Sequence, residues 1–441
     1  MVMLRPTHIP WIGEIPFEWE VIKLKYASLL KGRIGWQGLT TDEYRSEGPY
    51  LVTGTDFENG VVAWERCHHV SEERYQLDIA IQIKEDDLLI TKDGTIGKVA
   101  VSKNCPDKVC LNSGVFIIRN IGRYKYHSRF MYYVLQSEEL QLWFSFTDRG
   151  NSTVKHLTQE KFYNFSFAYP PLAEQQAIAD YLDDRCSKID EIIAEATASI
   201  EEYKELKQAV IFEAVTKGLD KNVPMRQSNV GWIDSVPCSW NVGKLRLLAE
   251  FYNGDRSSRY PSGDDIQSEG IIFVTSNNLG NIRLNIDIPT NKYITKEKYD
   301  ELGGAKLCID DIVFCLRGSV GKCSINKIFD AGTIASSLVV IRPKKINPDY
   351  LNYVLQTSRI TDEAIVSAIG IGSANLAAHD ISEFFVPVPS KAEQQEIVDY
   401  LDVRVGDMDA LISEKQTLID DLQAYKKSLI YEVVTGKRRV V

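Results

Sequence analysis

Two long stretches of the chain carry apolar residues at alternating steps of four and three. From Leu182 the positions are Cys186, Ile189, Ile193, Ala196, Ile200, Tyr203, Lys207, Val210 and Ala214, and only Lys207 breaks the run. The second stretch gives Leu401, Val405, Met408, Ile412, Lys415, Ile419, Leu422, Lys426, Leu429 and Val433. A 4-3 spacing kept this long puts every such residue on one stripe of a helix, the pattern of a coiled-coil seam. The ends agree. Pro170-Pro171 precede the first stretch, Ser390 and Glu393 form an S-x-x-E capping box before the second, and Gly218 and Gly436 stand where a C′ glycine closes a helix. Each helix is predicted to run about 45 residues, roughly 65 Å at ~1.5 Å per residue. Alone in water, each helix would leave its whole apolar stripe exposed, so the expected arrangement is an antiparallel pair of the two.

The pattern also repeats on a larger scale. AEQQAIADYLD at 173–183 returns as AEQQEIVDYLD at 392–402, identical at nine of eleven positions. WIGEIPFEWEVIKLK (11–25) returns as WIDSVPCSWNVGKLR (232–246), DDLLITKDGTIGKV (86–99) as DDIVFCLRGSVGKC (310–323), and YYVLQS (132–137) as NYVLQT (352–357). The chain is therefore a duplication in four blocks: a variable domain at 1–170, a helix at 171–220, a second variable domain at 221–389 and a second helix at 390–441. Runs such as GVFIIRN (114–120) and SLVVIRP (337–343), set off by Gly, Asn and Asp, predict strands mixed with short helices. The predicted fold class is α+β, with two duplicated α/β domains separated by the two long helices.

Composition narrows the class. Of 441 residues 44% are hydrophobic and 25% charged, the proportions of a globular protein with ordinary cores. No run of about 18 apolar residues occurs, and the opening MVMLRPTHIPWIGEIP lacks a basic stretch followed by an apolar one, so a soluble, cytosolic protein with no membrane segment is expected. The eight cysteines form no Cys-x-x-Cys pair and no Cys-His zinc spacing. No metal site is predicted, and the thiols are read as reduced. The net charge of −10 sits mainly in block 171–220, with 5 basic against 12 acidic residues, while the variable domains have 20 against 21 and 18 against 18. A negative total thus does not oppose nucleic-acid binding by the variable domains, which would use local basic loops.

Such loops recur at matching places. Lys92 to Lys98 (KDGTIGK) answers Leu316 to Lys322 (LRGSVGK), and glycines let a backbone approach a phosphate while Lys92, Lys98, Arg317 and Lys322 supply charge. The GxxGK spacing is two residues too short for a nucleotide P-loop. Further candidate nucleic-acid contacts are Arg33 in KGRIGWQG, Arg149 and Lys155 in DRGNSTVK, and Arg256 and Arg259 in YNGDRSSRYPSG. Signatures of catalysis are absent: Tyr169-Pro170-Pro171-Leu172 is not an Asn-Pro-Pro-Tyr methylation motif, and there is no GxSxG, HExxH or dinucleotide loop. Asp86-Asp87 and Asp310-Asp311 read as turn residues ahead of strands. The chain is expected to be no enzyme and to have no catalytic residues.

Two variable domains opening with W-x(7)-W (Trp11 to Trp19, Trp232 to Trp240), each closed by a proline-rich junction and an AEQQ-x-I-x-DYLD helix, resemble the specificity subunit of type I restriction-modification systems. The resemblance spans essentially the whole chain. It implies that each variable domain is a target recognition domain reading one half of a bipartite, asymmetric DNA sequence. It further implies a coiled coil of the conserved helices, through Leu182, Ile189, Ile193, Ile200, Tyr203 and Val210 on one side and Leu401, Met408, Ile412, Ile419, Leu422 and Leu429 on the other. The implied partners are double-stranded DNA, two methyltransferase subunits using S-adenosylmethionine, and restriction subunits that translocate DNA with ATP and Mg, with no cofactor on this chain. The competing expectation is a coiled-coil scaffold whose two domains bind protein rather than DNA.

Overall fold

The structure, a computed structural model, describes residues 3–440 except 34–38, 122, 148–156, 287 and 369–375. Its two longest elements are the helices Leu172–Lys217 (46 residues) and Lys391–Val434 (44 residues). The chain divides into two compact units, Met1–Thr197 with Thr417–Val441, and Ala198–Gln416. These units are not the four chain-order blocks. Each contains one recognition domain, half of the helix that follows it and half of the other long helix.

In the first unit the main sheet has the order Ser28–Gly32, Val115–Asn120, Leu88–Thr91, Val99–Val101, Val61–Val62, Phe57–Glu58. Its strands are antiparallel except for the Val101–Val61 pairing. The apolar run VFIIRN predicts an inner member of this sheet, buried from Val115 to Ile118. A second sheet orders Val109–Leu111, Arg45–Val52 and His68–His69. The strand Glu20–Lys23, just after Trp19, pairs with Ser166–Tyr169, just before the long helix, and so closes the domain on itself. In the second unit Ala249–Asn253, Leu338–Pro343, Ile312–Cys315 and Cys323–Ile325 form the corresponding antiparallel sheet, and Asn241–Lys244 pairs with Phe385–Val388.

Each unit has its own core, and the long helices contribute to both cores. Ile178, Leu182, Ile189, Leu429 and Val433 pack with Trp19, Phe130 and Phe167 in the first unit. Ile211, Val215, Ile397, Leu401 and Val405 pack with Trp240, Phe314 and Tyr350 in the second. Seam residues Leu182, Ile189, Ile200, Leu401, Met408, Ile419 and Leu429 are buried, and Ile193, Tyr203, Val210, Ile412 and Leu422 are half-buried. The helices run antiparallel within each unit: Glu174 lies by Arg439 and Asp190 by Lys426 in one, Tyr203 by Lys415 and Lys207 by Asp409 in the other.

Candidate nucleic-acid interface

The scaffold beneath the candidate loops repeats several contacts in both units. Trp19 Nε1 donates to Glu174 Oε2 at 2.9 Å, and Trp240 Nε1 to Glu393 Oε1 at 3.1 Å. The same two indoles receive the far end of the other helix. Gly436 (φ +73°) lies so close that a side chain there would strike Pro16 and Trp19, and Gly218 (φ +75°) is crowded by Trp240. The second tryptophan of each W-x(7)-W opening thus latches the start of one helix and the end of the other. Glu393 also serves as the predicted capping box, accepting from Ser390 N at 3.0 Å. Burial raises its pKa, but the hydrogen bonds from Ser390 and Trp240 outweigh that and leave the carboxyl below its usual value. Tyr133 OH donates to Asp183 and Tyr353 OH to Asp402, both at 2.6 Å, which binds a domain helix to each long helix.

The paired carboxylates prove structural. Asp87 takes a two-pronged contact from Arg119 (2.8 and 2.5 Å) and accepts from Lys84 N. Asp311 does the same with Arg342 (2.7 and 2.8 Å) and Cys308 N. Both carboxylates are almost fully buried, so a charge-assisted bidentate pair is what makes them tolerable there. In the sequence, Arg119 and Arg342 are marked only by their shared place at the ends of VFIIR and LVVIR.

On this scaffold the GxxGK segments form equivalent turns. Lys92–Lys98 joins strands Leu88–Thr91 and Val99–Val101, closed by Gly97 N to Thr91 O (3.0 Å) and by the Thr91 hydroxyl to Thr95 O (2.5 Å). The second joins Ile312–Cys315 to Cys323–Ile325, closed by Gly321 N to Cys315 O (3.2 Å). Gly97 and Gly321 share φ +91°. Lys98, Arg317 and Lys322 project to solvent and make no ion pair among the described residues. Lys92 is half-buried, with its ammonium 5.1 Å from the Phe116 ring centroid.

The remaining candidates divide. Arg256 and Arg259 are exposed on one loop that follows strand Ala249–Asn253. At its base, buried Asp255 accepts from Ser257 N (2.7 Å) and Gly303 N (2.8 Å); chiefly the bonds from Ser257 hold its pKa down at about 2. Arg33, at the matching place in the first domain, is not a surface cation. It is 3% exposed, donates to Leu111 O at 3.0 Å and meets Cys110 Sγ at 3.8 Å, and burial lowers its pKa. The expectation that Arg33 reaches DNA is therefore corrected: its guanidinium pins a strand inside the domain. Arg149 and Lys155 lie outside the described residues.

Comparison with known proteins then decides the family. The model of the type I restriction modification DNA specificity domain matches twice, at residues 18–202 and 237–420. The chain belongs to the type I restriction-modification DNA specificity family. It is 22% identical over 435 residues to the MjaVIII specificity subunit of Methanocaldococcus jannaschii, covering 97% of this chain and 94% of that one. It is 26% identical over 365 residues to the EcoBI specificity subunit of Escherichia coli, covering 80% and 73%. In fold it is similar to a chain from a type I R-M system solved to show complex assembly and conformational transition (TM-score 0.72, 16% identity, 96% and 99% covered). It is also similar to the HsdS subunit from Thermoanaerobacter tengcongensis (TM-score 0.50, 16% identity, 96% and 98% covered). This specificity subunit thus has two target recognition domains, and the protein-binding scaffold is set aside. No helix among the described residues is long and apolar enough to cross a membrane.

Proposed function

We propose that this specificity subunit is the non-catalytic reader of a cytoplasmic type I complex, each recognition domain reading one half of a bipartite, asymmetric DNA target. One observation carries this reading: the two units repeat the same supporting contacts, yet differ in their loops. Where the first domain has buried Arg33, the second has Asp255 beneath exposed Arg256 and Arg259, and KDGTIGK stands opposite LRGSVGK. Equal scaffolds with unequal loops suit two different half-sites, since phosphate contacts position a protein and base-edge contacts specify sequence. Lys92, Lys98 and Lys322 would take phosphates, and Arg256, Arg259 and Arg317 would lie nearer the bases.

The repeated helix faces would seat two methyltransferase subunits, which bring S-adenosylmethionine, and restriction subunits would bring the ATP- and Mg-dependent chemistry. This chain supplies position: it holds both loop sets on braced sheets. Mapping methylated bases in cells that carry the complete system tests the reading. A split motif with two dissimilar halves is expected; a continuous or palindromic motif contradicts it. The purified chain alone should neither methylate nor cleave DNA.

A further inference from the structure

The second recognition domain contains a buried charge whose place is unusual. Asp255 is 6% exposed and has no cation in direct contact among the described residues, yet it lies at the root of a loop with two exposed arginines. Its Oδ1 accepts from Ser257 N and its Oδ2 from Gly303 N. The hydroxyl of Ser257 in turn accepts from Arg259 N at 3.2 Å and stands 3.5 Å from Arg259 Nε. The guanidinium of Arg259 lies over Gly303, near the spot where a β-carbon would sit. The opposing turn is close: a side chain on Gly304 would fall on the backbone of Gly254 and Asp255, and Ala305 N donates to Asn253 O at 2.9 Å. Tyr260 anchors the far side of the loop against Phe273, with ring centroids 5.7 Å apart. Beside these residues opens a cleft of about 520 Å³, lined by Tyr252, Arg256 and Arg259.

We propose that Asp255 is a positioning residue for DNA reading: through Ser257 it fixes the direction of Arg259, which touches a base edge of the second half-site. Burying a carboxylate is costly unless its hydrogen bonds are complete. A loop needed only for connection could close with a neutral turn. Here the carboxylate ties its own loop to the turn at Gly303 and ends its chain of contacts on a flexible arginine. Base discrimination by arginine depends on a fixed fork geometry, so freezing its approach is what specificity requires.

The inference rests on the proposed role of the Arg256–Arg259 loop, and the experiment separates the two. In the complete system, with the full chain, the methylation motif is mapped for Arg259→Ala, Asp255→Asn, Ser257→Ala and the Asp255→Asn/Arg259→Ala pair, with Tm measured for each. Arg259→Ala should relax the second half-site, lowering discrimination there roughly tenfold or more, and leave the first half-site intact. Asp255→Asn and Ser257→Ala should relax the same base position, and Asp255→Asn should add nothing when Arg259 is already alanine. An unchanged motif with Arg259→Ala overturns the loop's role in reading. If Arg259→Ala relaxes the motif but Asp255→Asn and Ser257→Ala do not, the positioning role is wrong. It is equally wrong if Asp255→Asn acts additively or lowers methylation at every site alike, since that is what mere loss of folding would do.

Discussion

At the residue scale, exposure separates cations that can meet DNA from those that hold the fold. Lys98 and Lys322 stand on equivalent turns in open solvent, so each should neutralise about one phosphate. Lys98→Ala and Lys322→Ala are expected to weaken binding to all duplexes alike and to reduce the slope of log K against log salt by about one unit or less. A titration of affinity against salt checks this, and an unchanged slope would make the loops ordinary turns. A different kind of charge sits at Glu139, which is fully buried with both carboxyl oxygens unpartnered among the described residues. Burial raises its pKa to about 8. Between the ordinary value of 4.5 and about 8 the unfolded chain binds fewer protons than the folded one, so this group makes stability fall as pH rises through that window. At ~1.4 kcal/mol per unit the penalty is several kcal/mol at most. Glu139→Gln should therefore raise Tm over the parent at pH 8 and change it little at pH 5, as calorimetry at both pH values would show. The repeated GxxGK loops marked Lys98 and Lys322 in the sequence, but burial was not legible: Arg33 and Arg256 look alike in sequence, and only the fold decides which one is buried.

At the element scale, much was legible, because the seam and the caps are local signals. The 4-3 run marks the stripe that packs, and the three lysines that interrupt it meet the partner helix, Lys415 over the Tyr203 ring and the other two in ion pairs. Lys207 reaches Asp409 and Lys426 reaches Asp190, each at 2.6 Å. All four side chains are 23–57% exposed, so each bridge is worth at most ~1 kcal/mol and serves alignment more than stability. The buried apolar residues supply the larger part, roughly 1.5–3 kcal/mol for each large side chain. The first helix carries both bridge partners, Asp190 and Lys207. A fragment ending near residue 220 should accordingly pair with itself, each Lys207 facing Asp190 of the other copy. Light scattering should report a dimer at micromolar concentration, and with the methyltransferase present it should methylate an inverted repeat of the first half-site. A monomer under both conditions contradicts this. The Trp19–Glu174 and Trp240–Glu393 latches were less visible, since a pairing between residues 155 or 153 positions apart leaves no periodic trace.

At the scale of the whole molecule, duplication was the clearest feature of the sequence, because it needs only self-comparison. Which bases are read was illegible, since loop side chains obey no transferable code. Both long helices pass from one compact unit into the other, and on the proposed function their length sets the gap between the half-sites. Adding one heptad after Glu195 and one after Glu414 keeps the seam in register and adds about 10 Å at ~1.5 Å per residue. Duplex DNA rises about 3.4 Å per base pair, so the unread spacer should lengthen by about three pairs while both half-sites stay the same. The methylation motif of the lengthened protein in its complete system is the direct measurement. A spacer longer by about three pairs is the result predicted, and an active protein that keeps its original spacer would contradict the account.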